Sequence, residues 1–406
     1  MRIAQRAQRI EPFYVMELAK AAASMAAGAA VGERPMIYLN IGEPDFTAPP
    51  LVMSAAEKSI REGRSQYTPA TGLPALRQAI SGWYASRFGL AIDPARIVVT
   101  AGASAALQLA CLALIEAGDE VLMPDPSYPC NRQFVQAAEG SAVLVPSGPE
   151  QRFQLSAAQV EAHWTPATRG VLLASPSNPT GTSIARDELE RIARLVRERG
   201  GVTLVDEIYL GLSYEEAYGH SALGLPDGLG EEVISINSFS KYFSMTGWRL
   251  GWLVLPPALV PAVERLAQNL FICPSTIAQH AALACFEPDS LAEYERRRAA
   301  FRARRDYFIP ELNRLGLLVP VMPDGAFYAW ADVSGLCARW GIPPTGERPD
   351  EGGSWALAFE LMKRCQLATT PGRDFGTAEP GRYLRFSTAN SMAQLQEAVA
   401  RLEQAL

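Results

Sequence analysis

Seven short runs of apolar residues punctuate the chain at 96–100, 120–123, 142–145, 170–174, 202–205, 233–237 and 250–254. They are apolar along most of their length rather than at alternate positions, the pattern of strands buried on both faces. Helical periodicity follows at residues 104–116 and 187–199. Apolar strands separated by amphipathic helices predict an α/β fold with a mostly parallel seven-stranded sheet, covered by helices on both faces. After residue 259 the pattern changes. A long charged helix over 290–315, strand-like runs at 325–330 and 382–387 and an amphipathic helix over 391–405 predict a smaller α+β unit. The expected division is a large domain over 48–290 and a small one made of 1–47 and 291–406.

Composition narrows the function. The 406 residues are 48% hydrophobic and carry a formal charge of −6, with acids and bases mixed along the chain. That is no nucleic-acid footprint, which needs a basic face or arm. The local excess of Arg296, Arg297, Arg298, Arg302, Arg304 and Arg305 alternates with acids and reads as a solvated helix face. Six scattered cysteines form no CxxC pair, and three histidines lie far apart, so no metal site is expected and a reducing cytosol fits. The Ala-rich stretch after Arg2, Arg6 and Arg9 superficially suggests a signal peptide. Glu11, Glu17 and Lys20 interrupt it, and a helix over 15–30 stopped by Gly32 is the better reading. No run reaches the length of a membrane span.

The candidate chemistry falls just past the strand ends, where open parallel sheets bind ligands. Lys241 stands among serines and aromatics with no acid beside it. Either it snorkels from a strand end, or desolvation leaves it a neutral amine able to attack a carbonyl. Arg249 follows a Thr-Gly turn and, with Ser238 and Ser240, suits a phosphate. Gly102, Ala103 and Ser104 open a helix whose backbone N–H groups can meet an anion, though such turns also serve packing. Asp206 ends an apolar strand, as a helix cap or as partner to a cationic ring nitrogen. Tyr209 lies three positions on, within reach of a ring hydroxyl. Asn178 sits in the stiff turn at 175–181, and Tyr128 in the loop at 125–129 either stacks on a ring or fills the loop. Gly42 permits close approach of backbone to a ligand. Arg385 inside an apolar strand forms an ordinary ion pair or grips a carboxylate in bidentate fashion.

Taken together, the stretches 40–46, 67–72, 100–107, 125–129, 175–181, 206–209 and 238–251, with Arg385, resemble the class I/II aminotransferases of fold type I over essentially the whole chain, in matching order. The resemblance implies a pyridoxal 5′-phosphate cofactor held as a Schiff base on Lys241 and a ping-pong transfer of an amino group from an L-amino acid to a 2-oxo acid. It implies Asp206 on the ring nitrogen, Tyr209 and Asn178 on the ring hydroxyl and Tyr128 stacked on the ring. Gly102, Ala103, Ser104, Ser238 and Arg249 would bind the phosphate, Ser240 would also contact the cofactor, and Gly42, Asn178 and Arg385 would bind the substrate carboxylate. Tyr67 would reach the phosphate of a partner subunit in a homodimer, and the N-terminal helix would cover the site. A C–S β-lyase on the same scaffold needs the same residues. A non-catalytic sensing module would carry a DNA-binding arm that the forty residues before Asn40 do not supply. Substrate choice is open: Arg132 is a candidate for a distal carboxylate, whereas Phe13, Tyr14 and Phe327 could line an apolar pocket.

Overall fold

A computed structural model describes residues 2–12, 14–28, 34–344 and 352–406; Phe13 and the stop at Gly32 lie outside them. The seven apolar runs are strands: β1 (Ile97–Thr100), β2 (Glu120–Asp125), β3 (Ser141–Pro146), β4 (Thr168–Ala174), β5 (Val202–Asp206), β6 (Ile234–Ser238) and β7 (Gly251–Val254). They form one sheet in the order β1-β7-β6-β5-β4-β2-β3. Only β7 runs against its neighbours, pairing antiparallel with both β1 and β6. Among the helices are α1 (Tyr14–Ala27), α2 (Gly102–Leu114), α3 (Arg186–Glu198) and α4 (Pro288–Arg314).

The unbroken apolar strands serve two cores at once, one on each face. Leu172 and Leu204 pack with Ala106, Leu109 and Ala110 of α2. Their neighbours Val171, Leu173 and Val205 pack on the other face with Leu189, Ile192 and Val196 of α3. Each such side chain contributes about 1.5–3 kcal/mol when fully buried. The sheet centre is therefore the rigid platform, and polar groups gather where the strands end.

A second, antiparallel sheet joins β8 (Tyr328–Asp332), β9 (Thr370–Pro371) and β10 (Tyr383–Ser387) in the order β9-β10-β8. A two-residue parallel pairing of Ile37–Tyr38 with Leu367–Ala368 lies beside it. Leu18 and Ala22 of α1 enter the same core as Phe308 of α4 and Leu384 and Phe386 of β10. The strand expected from residue 325 starts only at Tyr328, because Ala326 takes a left-handed φ of 55° that breaks extended geometry.

The arginine-rich helix departs from its reading as a solvated face. Arg297, Arg304 and Arg305 are buried. Arg304 grips both oxygens of Asp45 at 2.7 and 2.8 Å and donates to the Ala389 carbonyl. Arg297 donates to the carbonyl of Thr47, and Arg305 to that of Pro323. One side of α4 is thus a row of ties between distant parts of the chain. A spacing of three or four residues brings cations to one helix face whether or not that face is wet.

Candidate active site

The strand ends of the large sheet meet the second sheet around a cavity of about 470 Å³. Its wall takes Ala103 and Ser104 from the start of α2, Tyr128 from beyond β2, Asn178 from beyond β4, Asp206 and Tyr209 from β5 and its exit, Ser238, Ser240 and Lys241 from the exit of β6, and Arg249 from the approach to β7. Arg385 from β10 and Gly42 close it from the other side. All the strand-end positions singled out in the sequence therefore converge. Gly102 stands just behind the wall, against Arg249.

Lys241 Nζ donates to the Gly42 carbonyl at 2.6 Å. Burial, aided by the nearby charges of Arg385 and Arg249, lowers its pKa to about 8, against an opposing pull from Glu43 and Asp206. Asp206 is 3% exposed and accepts one bond from the Ile208 N–H at 3.2 Å. Burial pushes its pKa up to about 7, although the Ile208 bond and the charge of Lys241 work against the rise. A buried acid with so little support is poised to meet a cation.

The anion end is built from α2 and Arg249. No side chain caps the start of α2, so its first N–H groups are open to a ligand. Arg249 donates to the Thr246 carbonyl at 3.0 Å and makes no ion pair with any described carboxylate. Gly102, at φ 81°, is what lets the guanidinium lie close: a Cβ there would stand 2.7 Å from Arg249 Nη2. The hydroxyl of Ser238 accepts from the Ser240 N–H at 3.0 Å, which shapes this turn.

At the opposite end Arg385 is 3% exposed, and among the described residues it has no carboxylate within ion-pair distance. Its Nη1 donates to Asn178 Oδ1 at 2.8 Å, and its Nη2 to the Asn40 carbonyl at 2.7 Å and the Thr370 hydroxyl at 3.2 Å. Nε is buried without a partner. The guanidinium lies 4.5 Å from the centre of the Tyr328 ring. Burying a cation without its counter-charge is costly, and a ligand carboxylate would repay part of that cost.

Two expectations need adjustment. The Tyr209 hydroxyl is already bonded to that of Tyr328 at 2.7 Å, so it acts as one of a pair. Phe327 lies in the core rather than on the cavity wall. Tyr67 is 83% exposed and takes no part in the wall of this cavity. Sequence reasoning missed Tyr328, Glu43 and Thr246, which line the cavity, and the apolar set Val15, Met16, Ala19 and Ile41. Glu43 bonds to the Thr246 hydroxyl. A ring inside a strand-like run reads as core, and only the requirement for Gly42 signals it: a Cβ at 42 would stand 2.5 Å from the Tyr328 hydroxyl.

Known proteins carry the same architecture. The family model for aminotransferase class I and II matches residues 34–402. A valine–pyruvate aminotransferase of Mycobacterium tuberculosis is 37% identical over 401 residues, covering 99% of this chain and 97% of that protein. An aspartate aminotransferase of Streptomyces avermitilis is 36% identical over 389 residues, covering 96% and 92%. Among solved structures, an aminotransferase from Mycobacterium tuberculosis superposes with a TM-score of 0.90 at 37% identity, covering 100% of this chain and 99% of that one. Matched along nearly its whole length by a family and by full-length relatives, this chain belongs to the class I and II aminotransferases and is a transaminase.

Proposed function

We propose that this enzyme holds pyridoxal 5′-phosphate on Lys241 and uses it to move the amino group of an L-amino acid to a 2-oxo acid. The observation that carries the reading is Lys241 itself, an amine lowered to about 8 between a buried acid and two guanidinium groups. The residues around it fit that cofactor. Arg249, Ser238, Ser240 and the open start of α2 suit a phosphate, and Gly102 leaves the room such a group needs. Asp206 suits a pyridinium nitrogen, a cation that would draw its raised pKa back down. Tyr128 offers a ring face, and Asn178 and the Tyr209–Tyr328 pair offer donors for a ring hydroxyl. When bound, pyridoxal phosphate supplies an aldehyde for an amine and a ring that accepts an electron pair.

The chain's own residues do the rest. Asn178 and the Asn40 carbonyl fix the Arg385 guanidinium, leaving Nε as the group still in need of an acceptor. Arg385 thereby anchors the α-carboxylate of an amino acid and sets its Cα toward Lys241. Lys241 would take the Cα proton and return it at C4′ of the cofactor, which leaves the amino group on the cofactor side. An amine of pKa about 8 is a competent base near neutral pH and still holds a proton to give. The lyase and sensing readings gain no observation of their own from this site.

The reading includes a homodimer in which Tyr67 of each copy reaches the other's phosphate site. Its support is that Tyr67 is exposed, as are the large apolar side chains of Ile60, Leu270 and Ile272. It also keeps the division into a large cofactor-binding domain over 48–290 and a small one over 1–47 and 291–406, and a cytoplasmic setting. All six cysteines are unpaired, in keeping with a reducing compartment, and among the described residues no helix is long and apolar enough to cross a membrane. The test is chemical: load the protein with pyridoxal phosphate, reduce with borohydride and map the adduct by peptide mass. It should sit on Lys241 and vanish in Lys241→Ala. No adduct, or one on another lysine, overturns the reading.

A further inference from the structure

Resting on that reading, we infer that the cavity selects amino acids and 2-oxo acids with uncharged, apolar side chains and rejects those with a second carboxylate. Three cations line the wall, Lys241, Arg249 and Arg385, and each has its duty in the proposed reaction. Among the described residues, the charged side chains that remain at the wall are acids, Asp206 and Glu43. Arg132, the candidate for a distal carboxylate, is outside the wall: it donates to the Asp374 carbonyl at 3.2 Å and pairs with Glu11 at 3.5 Å. A substrate's distal carboxylate would lose water here and find no spare cation among the described residues in return.

What it would meet instead is α1. Val15 and Ala19, four residues apart, share a helix face with Met16 beside them, and all three line the cavity with Ile41. The adjacent stripe, Leu18 and Ala22, is sunk in the second sheet's core and holds the neighbouring face of α1 at the cavity. Met16 is 56% and Ile41 43% exposed, large apolar side chains left uncovered at the wall of a site. The start of α1 is pinned in place: the Tyr14 N–H donates to Asp374 Oδ1 at 3.0 Å, and the Arg373 guanidinium lies 3.9 Å from the centre of the Tyr14 ring. An apolar substrate side chain gains burial against Met16 and Ile41, and a charged one loses solvation. Both half-reactions use this one cavity, so the preference holds for the amino donor and for the 2-oxo acid acceptor.

The experiment follows single turnovers of the cofactor-loaded enzyme with L-leucine, L-valine, L-methionine, L-aspartate and L-glutamate. We expect kcat/KM for the best apolar donor to exceed that for either dicarboxylate by ~10²-fold or more, at least the discrimination an apolar pocket shows against a polar isostere. Equal or better turnover of L-aspartate overturns the inference. Met16→Lys, at an exposed position, should narrow the leucine-to-aspartate ratio by ~10-fold or more; an unchanged ratio overturns the part assigned to α1. The adduct on Lys241 separates the two levels. If it forms and aspartate is preferred, only the substrate class is wrong; if it never forms, the proposed function itself has failed.

Discussion

Lys241 carries an energetic signature that can be read without any substrate. Its ordinary pKa of 10.5 falls to about 8 in the fold. A lysine lowered in this way makes the folded state bind fewer protons than the unfolded one between those two values. The cost of burying it is absent above about pH 10.5, grows as pH falls toward about 8, and is constant below that. The cofactor-free Lys241→Met protein should therefore resist urea better than the parent by about 2–3 kcal/mol at pH 7, and by less than about half of that at pH 10. A gain that stayed the same at both pH values would mean that the amine is not desolvated. The residues that announced themselves in the sequence share this property. Lys241, Asp206 and Arg385 are charges inside apolar runs, where an unpaired charge needs a reason. Tyr328 and Ile41 gave no such sign, because an aromatic or an isoleucine in a strand-like run is the ordinary content of a core.

Elements were legible to the extent that their physics is local. The unbroken apolar strands needed only hydrophobicity to be found, and their ends moved by a few residues at most. The start of α2 moved from 104 to 102, because Gly102 adopts a left-handed φ before the helix proper and small residues give no cap to read. The burial of α4 was not legible: its arginines reach Asp45, Thr47, Pro323 and Ala389, partners far away in the chain. The turn into α2 invites a test of its own. Gly102→Ala adds a strained φ and a Cβ at 2.7 Å from Arg249 Nη2. Arg249 must swing away, and a phosphate loses its main cation. Affinity for pyridoxal phosphate, followed by absorbance titration, should fall by ~10-fold or more while the far-ultraviolet circular dichroism stays that of the parent. Unchanged affinity would separate the α2 start from the phosphate.

At the scale of the whole molecule, the order of strands in the sheet and the reversed direction of β7 were beyond the sequence, since an apolar run reads the same in either direction. Assembly is open to a complementation experiment. If Tyr67 serves the other copy's site, a mixed dimer of Lys241→Ala and Tyr67→Ala chains contains one site with both defects and one with neither. Co-refolded mixtures should then recover activity above the sum of the two variants alone, approaching about half the parental activity per mixed dimer. A mixture that never exceeds that sum would place Tyr67 in its own copy's chemistry, or in none. This reading agrees with a side chain that is 83% exposed and away from its own cavity.

Arg385 gives the fold a standing debt of charge. The guanidinium is almost wholly buried, held by an amide, a carbonyl and a hydroxyl, and matched by no described carboxylate. Any ligand that brings the missing negative charge binds the native state alone, and the folding equilibrium moves with it by mass action. The protein is in that sense incomplete until a substrate arrives. Recognition of an amino acid and consolidation of the second sheet against the first become one thermodynamic event.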